Sequence, residues 1–306
     1  MSIIVFPGQG SQYLNMGIDF NKNYEVAKTT FQEIEDSCKI NIRKIITENQ
    51  SDNLNQTIFT QISIFSVSMA IYQTLLNQIG KDFINPEVVL GHSLGEYSSL
   101  VANNMMSLRD ASILIKKRGE LMNSSIEPNT SGMAAVIGKN AVFVEKIIRN
   151  NNLDITIAND NSPMQVVVSG LNESINSSEE IFSNNGVKKY IKLNVSAAFH
   201  SKYMLEAQVR LIEEINNITF KKSHIPIVSN YDACINSDLD KVIFSLKNQM
   251  ANKVKWTESI KKLEQKNINK IIEIGPGNIL SGLISRISKK FDIKTIDKME
   301  DLEKFN

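Results

Sequence analysis

The sequence predicts an α/β protein: a parallel sheet covered on both faces by helices, with a smaller ferredoxin-like unit inserted into it. Three observations carry this expectation. Short, mostly apolar runs alternate with helical segments. Two of those runs, "SIIVF" (2–6) and "KIIEI" (270–274), end in glycine turns, "PGQG" and "GPG". A mid-chain stretch has the element order β-α-β-β-α-β.

The elements follow in chain order. "SIIVF" reads as a buried strand, "TQISIFSVSMAIYQTLLNQI" (60–79) as a long, mostly buried helix, and "EVVLG" (87–91) as a second buried strand. "EYSSLVANNMM" (96–106) and "SLRDASILIKKRGELMNSS" (107–125) read as helices, and "NSSIEPNTSG" (123–132) as a linker. Beyond it come "MAAVIG" (strand), "AVFVEKIIRNN" (helix), "DITIAN" and "MQVVVSG" (strands), "NESINSSEEIFSNN" (helix) and "VKKYIKLNV" (strand). "PIVSNYD" (226–232) and "KIIEIGPGNIL" (270–280) then return to the first sheet as strands. The expected division is a large subdomain over 1–127 and 196–306 and a small one over 128–195.

Composition narrows the function classes. The formal net charge of +1 over 306 residues provides no field for nucleic acid or an anionic membrane, so the Lys-rich clusters read as solvated faces. Cys38 and Cys234 stand far apart in no metal-ligand spacing. They suggest a reducing compartment, and the cytoplasm is the expected location. The N-terminus lacks a basic signal-peptide region, and no segment reads as a membrane span.

The chemistry centres on "GHSLG" (91–95), in which Ser93 lies between a buried strand and a helix. Gly-x-Ser-x-Gly at such a junction makes a sharp turn with the serine at its tip. Gly91 and Gly95 have no side chain to clash there, and the N–H groups that open the helix point at a reacting carbonyl. Ser93 is therefore the candidate nucleophile. The Leu94 N–H is the first oxyanion donor, and the turn in "FPGQGSQ" offers a second at Gln9. Glu96, in the first turn of the helix, reads as a structural carboxylate favoured by the helix dipole.

A serine nucleophile needs a base, and there are three histidines. His92 adjoins the serine and reads as structural, while His224 sits at a strand entrance. His200, in "VSAAFHSKYM", lies where the chain returns from the small subdomain to the large one, and elimination favours it. Asp154 and Asp160 are the strand-associated acids between serine and base, but both belong to the small unit, so a backbone carbonyl could orient the ring instead.

In the helix over 107–125, Ala111, Leu114, Ile115, Arg118 and Met122 fall on one stripe at about 100° per residue. Arg118 thus sits on an apolar face, where an unpaired guanidinium costs several kcal/mol. Its partner is either an internal Asp or Glu or the carboxylate of a short dicarboxylic acyl group, malonyl being the obvious one.

Taken together, "FPGQGSQ", "GHSLGEYSSL", "KKRGELM", "AFHSKYM" and "EIGPGNILSGLI" resemble the malonyl-CoA:acyl carrier protein transacylases and the acyltransferases that load polyketide synthases. The resemblance implies an α/β-hydrolase-like large subdomain with a ferredoxin-like insert. It aligns Ser93 with the nucleophile, His200 with the base, Arg118 with the malonyl-gripping arginine, and Gln9 with the oxyanion-hole residue beside Leu94. Gln249 aligns with a glutamine whose backbone carbonyl orients the histidine, and Phe199 of "AFHS" with a residue that narrows the pocket against an α-methyl group. Ala197, Asp160, Lys253 and Asn278 depart from the usual pattern, the first two at positions expected near the pocket.

What the resemblance implies is malonyl transfer from malonyl-CoA through a malonyl-serine ester to the phosphopantetheine thiol of an acyl carrier protein. Fatty-acid synthesis or a polyketide pathway served in trans both fit, with "AFHS" tilting toward the second. Neither metal nor bound cofactor is expected. Two rivals remain: a serine thioesterase that clears carriers, which would gain nothing from Arg118, and a non-catalytic docking subunit, which would need none of these residues.

Overall fold

The computed structural model describes residues 2–80, 84, 86–127 and 129–305, so Pro128, in the expected linker, lies outside the described residues. Its larger sheet has six strands in the order β10-β9-β1-β2-β7-β8. Strands β1 (Ser2–Phe6), β2 (Pro86–Gly91), β7 (Ile227–Val228), β9 (Lys270–Ile274) and β10 (Asp292–Ile296) run parallel. The short β8 (Ile235–Asn236) pairs antiparallel with β7 at the edge.

The continuous apolar runs have the physical cause expected of a doubly covered sheet. Ile4 and Phe6 of β1 enter one core, Ile3 and Val5 the other, and all four are fully buried. Burying such side chains contributes about 1.5–3 kcal/mol each. One face is covered by the helices Glu25–Cys38, Thr57–Ile79, Leu108–Asn123 and Leu205–Asn216, and the other by Trp256–Glu264 and Ile279–Ile287. The last of these helices opens on the "GPG" turn, where the Glu273 carboxylate accepts from the Leu280 and Ser281 N–H groups.

The smaller sheet contains β3 (Ser131–Ile137), β4 (Ile155–Ser162), β5 (Gln165–Leu171) and β6 (Lys189–Lys192), all neighbours antiparallel, in the order β4-β5-β3-β6. With the helices Ala141–Asn150 and Asn172–Asn184 this is the ferredoxin-like arrangement, with its own core around Val136, Val168 and Phe182. The smaller sheet is tied to the segment before the helix Trp256–Glu264, where the Asp160 N–H donates to Val254 O and the Val254 N–H to Ala158 O.

Three details differ from the expectation. The "PIVSNYD" strand is reduced to two residues: Ser229 turns into the hairpin, bonded through its backbone to Cys234 and Ala233, and Asn230 reaches across to Ser93. The helix after Ser93 ends at Ala102, and "NNMM" forms a turn with Asn104 at φ 63°. Helix Thr57–Ile79 is long and apolar enough to cross a membrane by length and composition, although no segment read so from the sequence; 83% of its most apolar window is buried inside the protein.

Candidate active site

The site forms at the carboxyl ends of the parallel strands, where the chain turns out of the sheet and side chains converge. Gln9 follows β1, Ser93 follows β2 and Asn230 follows β7. Gln9 and Ser93 border a cavity of about 100 Å³ that Leu94, Arg118, Phe199 and His200 also line, with Met122, Met133, Leu193 and Val195 as apolar wall.

The turn at Ser93 is as tight as the two glycines suggest. A Cβ on Gly91 would lie 2.0 Å from the Gly95 carbonyl, and one on Gly95 would lie 2.1 Å from the Phe6 carbonyl oxygen. Ser93 itself has φ 51°, a left-handed conformation that strains a non-glycine residue by about 1–3 kcal/mol. Asn230 holds it there. Its Oδ1 accepts the Ser93 N–H at 2.6 Å, and its Nδ2 donates to Gly91 O at 2.7 Å. Among the described residues, no acceptor takes the N–H of Gln9 or Leu94, and both residues line the cavity.

His200 also occupies the left-handed region, at φ 56°, and is 4% exposed. Its Nδ1 faces two carbonyl oxygens, those of Gln249 and Asn252, each at 3.1 Å. Carbonyls only accept, so Nδ1 carries the proton and the Nε2 lone pair is left for the Ser93 hydroxyl, 2.8 Å away. Burial, and next the Arg118 charge, depress the His200 pKa to about 3, so the ring is neutral at physiological pH.

Arg118 is 1% exposed. Its Nη1 donates to Gln61 Oε1 at 2.5 Å, and its Nη2 to Ser93 Oγ at 3.0 Å and Gln249 Oε1 at 3.1 Å. All three acceptors are neutral, and among the described residues no Asp or Glu forms an ion pair with it. Of the two partners left open by the sequence, the internal acid is thereby removed. The guanidinium sits 5.3 Å from the Tyr97 ring centroid, and its Nε is buried without a hydrogen-bond partner. Burial lowers its pKa, opposed by Tyr97 and Glu96.

The other named residues fall in varied places. His92 Nε2 meets Asn161 Oδ1 at 2.7 Å, its ring lies against Trp256, and burial lowers its pKa. His224 is exposed just before β7. Asp154 pairs with Lys202 at the surface. Asp160 and Ala197 are not at the cavity: Asp160 accepts from Thr257 Oγ1 and borders a surface groove with Lys253, while Ala197 is wholly buried in the core. Asn278 precedes the helix Ile279–Ile287 without capping it through its side chain.

Sequence reasoning missed Asn230, Asn252, Gln61 and the side chain of Gln249. Gln61 had a signal, an amide within the apolar run of a buried helix, and Asn230 had a weaker one, the polar end of a short strand. Glu96 also differs from its reading. Its carboxylate is fully buried, accepting from Gln249 Nε2 at 2.8 Å and the Asn230 N–H at 3.2 Å.

A serine activated by a neutral histidine beside unused N–H donors can form and break esters. With this geometry in place, residues 3–300 match the family model for the acyl transferase domain. The chain belongs to that family. It is 33% identical over 303 residues to the malonyl CoA-acyl carrier protein transacylase of Bacillus subtilis, covering 98% of this chain and 94% of that protein. It is 37% identical over 292 residues to the polyketide biosynthesis malonyl CoA-acyl carrier protein transacylase PksC of the same organism, covering 94% and 98%. The crystal structure of an acyl-carrier-protein S-malonyltransferase from Bartonella henselae superposes with a TM-score of 0.95 at 32% identity, covering 99% of this chain and 98% of that one.

Proposed function

We propose that this acyl transferase moves malonyl from malonyl-CoA to the phosphopantetheine thiol of an acyl carrier protein. In the first half-reaction the Ser93 hydroxyl gives its proton to His200 Nε2 and Oγ attacks the thioester carbonyl. The N–H groups of Gln9 and Leu94 hold the oxyanion. The C–S bond then breaks, and the CoA sulfur leaves with the proton from His200. In the second, the carrier thiol yields its proton to His200 and attacks the malonyl-Ser93 ester, and Ser93 recovers its proton as the C–O bond breaks. So written, the chemistry closes without metal or cofactor.

One observation carries the reading: a buried guanidinium, hydrogen-bonded only to neutral groups, reaches to 3.0 Å from Ser93 Oγ. That is where the free carboxylate of a malonyl ester needs a bidentate cationic partner. Phe199, on the cavity wall, narrows the space beside the ester against an α-methyl branch. "AFHS" and the 37% identity to a polyketide transacylase favour a polyketide carrier. A cytoplasmic location accords with two free cysteines.

The test mixes the protein with malonyl-CoA, then with a carrier bearing phosphopantetheine. Intact-mass measurement is expected to show one malonyl adduct on Ser93, absent in Ser93→Ala, that disappears as the carrier gains it. Release of free malonate outpacing carrier loading would replace this reading with a thioesterase, and the lack of any adduct would leave only a docking role.

A further inference from the structure

Glu96 has a place in the site that its position in a first helical turn does not explain. It is a wholly buried carboxylate, yet among the described residues no cation pairs with it. Its Oε2 accepts from Gln249 Nε2 and the Asn230 N–H, and its Oε1 has no partner. Gln249 stands between Glu96 and the arginine. Its Nε2 also donates to Ser93 O at 2.8 Å, and its Oε1 accepts from Arg118 Nη2. The Gln249 backbone carbonyl meanwhile accepts from His200 Nδ1.

An amide has a donor end and an acceptor end, and only one orientation suits both neighbours. Reversed, the Gln249 NH₂ would confront the guanidinium and its oxygen would confront the Glu96 carboxylate. A carboxylate oxygen that accepts at 2.8 Å pins the donor end, so the acceptor end stays on Arg118 Nη2. That contact fixes one side of the fork while Gln61 fixes the other.

We infer that Glu96 is a positioning residue for acyl-group selection: through Gln249 it holds the Arg118 fork toward the ester on Ser93. This rests on the proposed role of Arg118 as the malonyl clamp and names a residue that clamp depends on. Burial pushes the Glu96 carboxyl up to about 7. A proton arriving on Oε1, the oxygen without a partner, leaves Oε2 still accepting, so the hold does not require the charge.

The test measures Ser93 loading from malonyl-CoA and acetyl-CoA for E96A, E96Q, Q249M, E96A/Q249M and R118A, with folding followed by circular dichroism. Displacing a binding group by about 1 Å can cost on the order of 100-fold, so E96A is expected to lower malonyl loading roughly 10- to 100-fold, while acetyl loading, which feels only the lost bond to the Asn230 N–H, falls far less. E96Q, which keeps the accepting oxygen, restores malonyl loading. Q249M lowers malonyl loading more than acetyl loading, its lost bond to Ser93 O costing both, and the double variant keeps the malonyl-to-acetyl ratio of Q249M, because Glu96 reaches Arg118 only through that amide. Equal losses of malonyl and acetyl in E96A, failure of E96Q to restore, or a further fall of that ratio in the double variant would each overturn the inference. Should E96A not fold, Q249M decides: a larger loss for malonyl than for acetyl supports the relay and equal losses overturn it. If R118A leaves the malonyl-to-acetyl ratio unchanged, the clamp itself is wrong, a failure distinct from an intact clamp that ignores Glu96.

Discussion

Replacing Arg118 with alanine separates the arginine's service to one acyl group from its service to the fold. In the free enzyme Nη1 spends one proton on Gln61, and Nη2 spends its two on Gln249 and Ser93 Oγ. A malonyl ester on Ser93 can therefore draw two parallel bonds, one from the second Nη1 proton and one from the Nη2 proton that Ser93 held. Hydrogen bonds to charged groups contribute about 1.5–3 kcal/mol each, so the pair amounts to roughly 3–6 kcal/mol. At about 1.36 kcal/mol per factor of ten, Arg118→Ala is expected to slow malonyl loading by roughly 10²- to 10⁴-fold. Acetyl has no carboxylate and loses only the contact to Oγ, a change of about tenfold or less. Single-turnover loading from each acyl-CoA, read by intact mass, gives the ratio. A malonyl-to-acetyl preference that survives the substitution would refute the assignment, whatever happened to the absolute rates.

The base and the turn give two further expectations. With its pKa at about 3, below the unfolded value of 6.5, His200 stays unprotonated well below neutrality, so malonyl-Ser93 formation should stay level as pH falls through 6.5; a half-loss at that pH would contradict the burial argument. The same depressed pKa has a stability consequence of fixed sign: its contribution is present above 6.5 and is lost as pH falls toward 3, which a pH series of thermal midpoints would register. Asn230→Ala should destabilise the protein by roughly 2–4 kcal/mol, since it leaves the Ser93 N–H and Gly91 O buried without partners. It should also reduce loading from malonyl- and acetyl-CoA alike, and denaturant melts with unchanged midpoints would exclude this account.

What the sequence disclosed, and what it withheld, divides along a physical line. Ser93 was legible because a strand-to-helix reversal demands glycine on both sides, and that demand is local. Arg118 was legible because helical periodicity puts it on the buried stripe with Leu114 and Ile115. The strand and helix order, including β-α-β-β-α-β, was written in alternating apolar runs. Asn230 and Gln61 were not legible, because an amide becomes a site residue only through what lies opposite it, 137 residues away from Ser93 in the first case and 57 from Arg118 in the second. Glu96 was placed on the correct helical turn, but its bonds across to Gln249 were not legible, since the dipole argument looks only along the helix. Asp160 was expected near the pocket from its place in the family pattern, yet successive strand residues point to opposite faces: Asn159 reaches the cavity and Asp160 turns to Thr257.

The two carbonyls behind His200 bear on which acceptor ends the reaction. A ring backed by peptide oxygens instead of a carboxylate gains no anionic support as it becomes imidazolium, so it is a feeble proton thief. Against a thiol, whose pKa is about 8.5, the shortfall is modest. The Ser93 hydroxyl is as weak an acid as water, and what lets this base take its proton is placement: Oγ is held 2.8 Å from Nε2 and 3.0 Å from Arg118 Nη2. A thiol therefore asks little of the ring, whereas a water would have to be held as Ser93 is before it could compete.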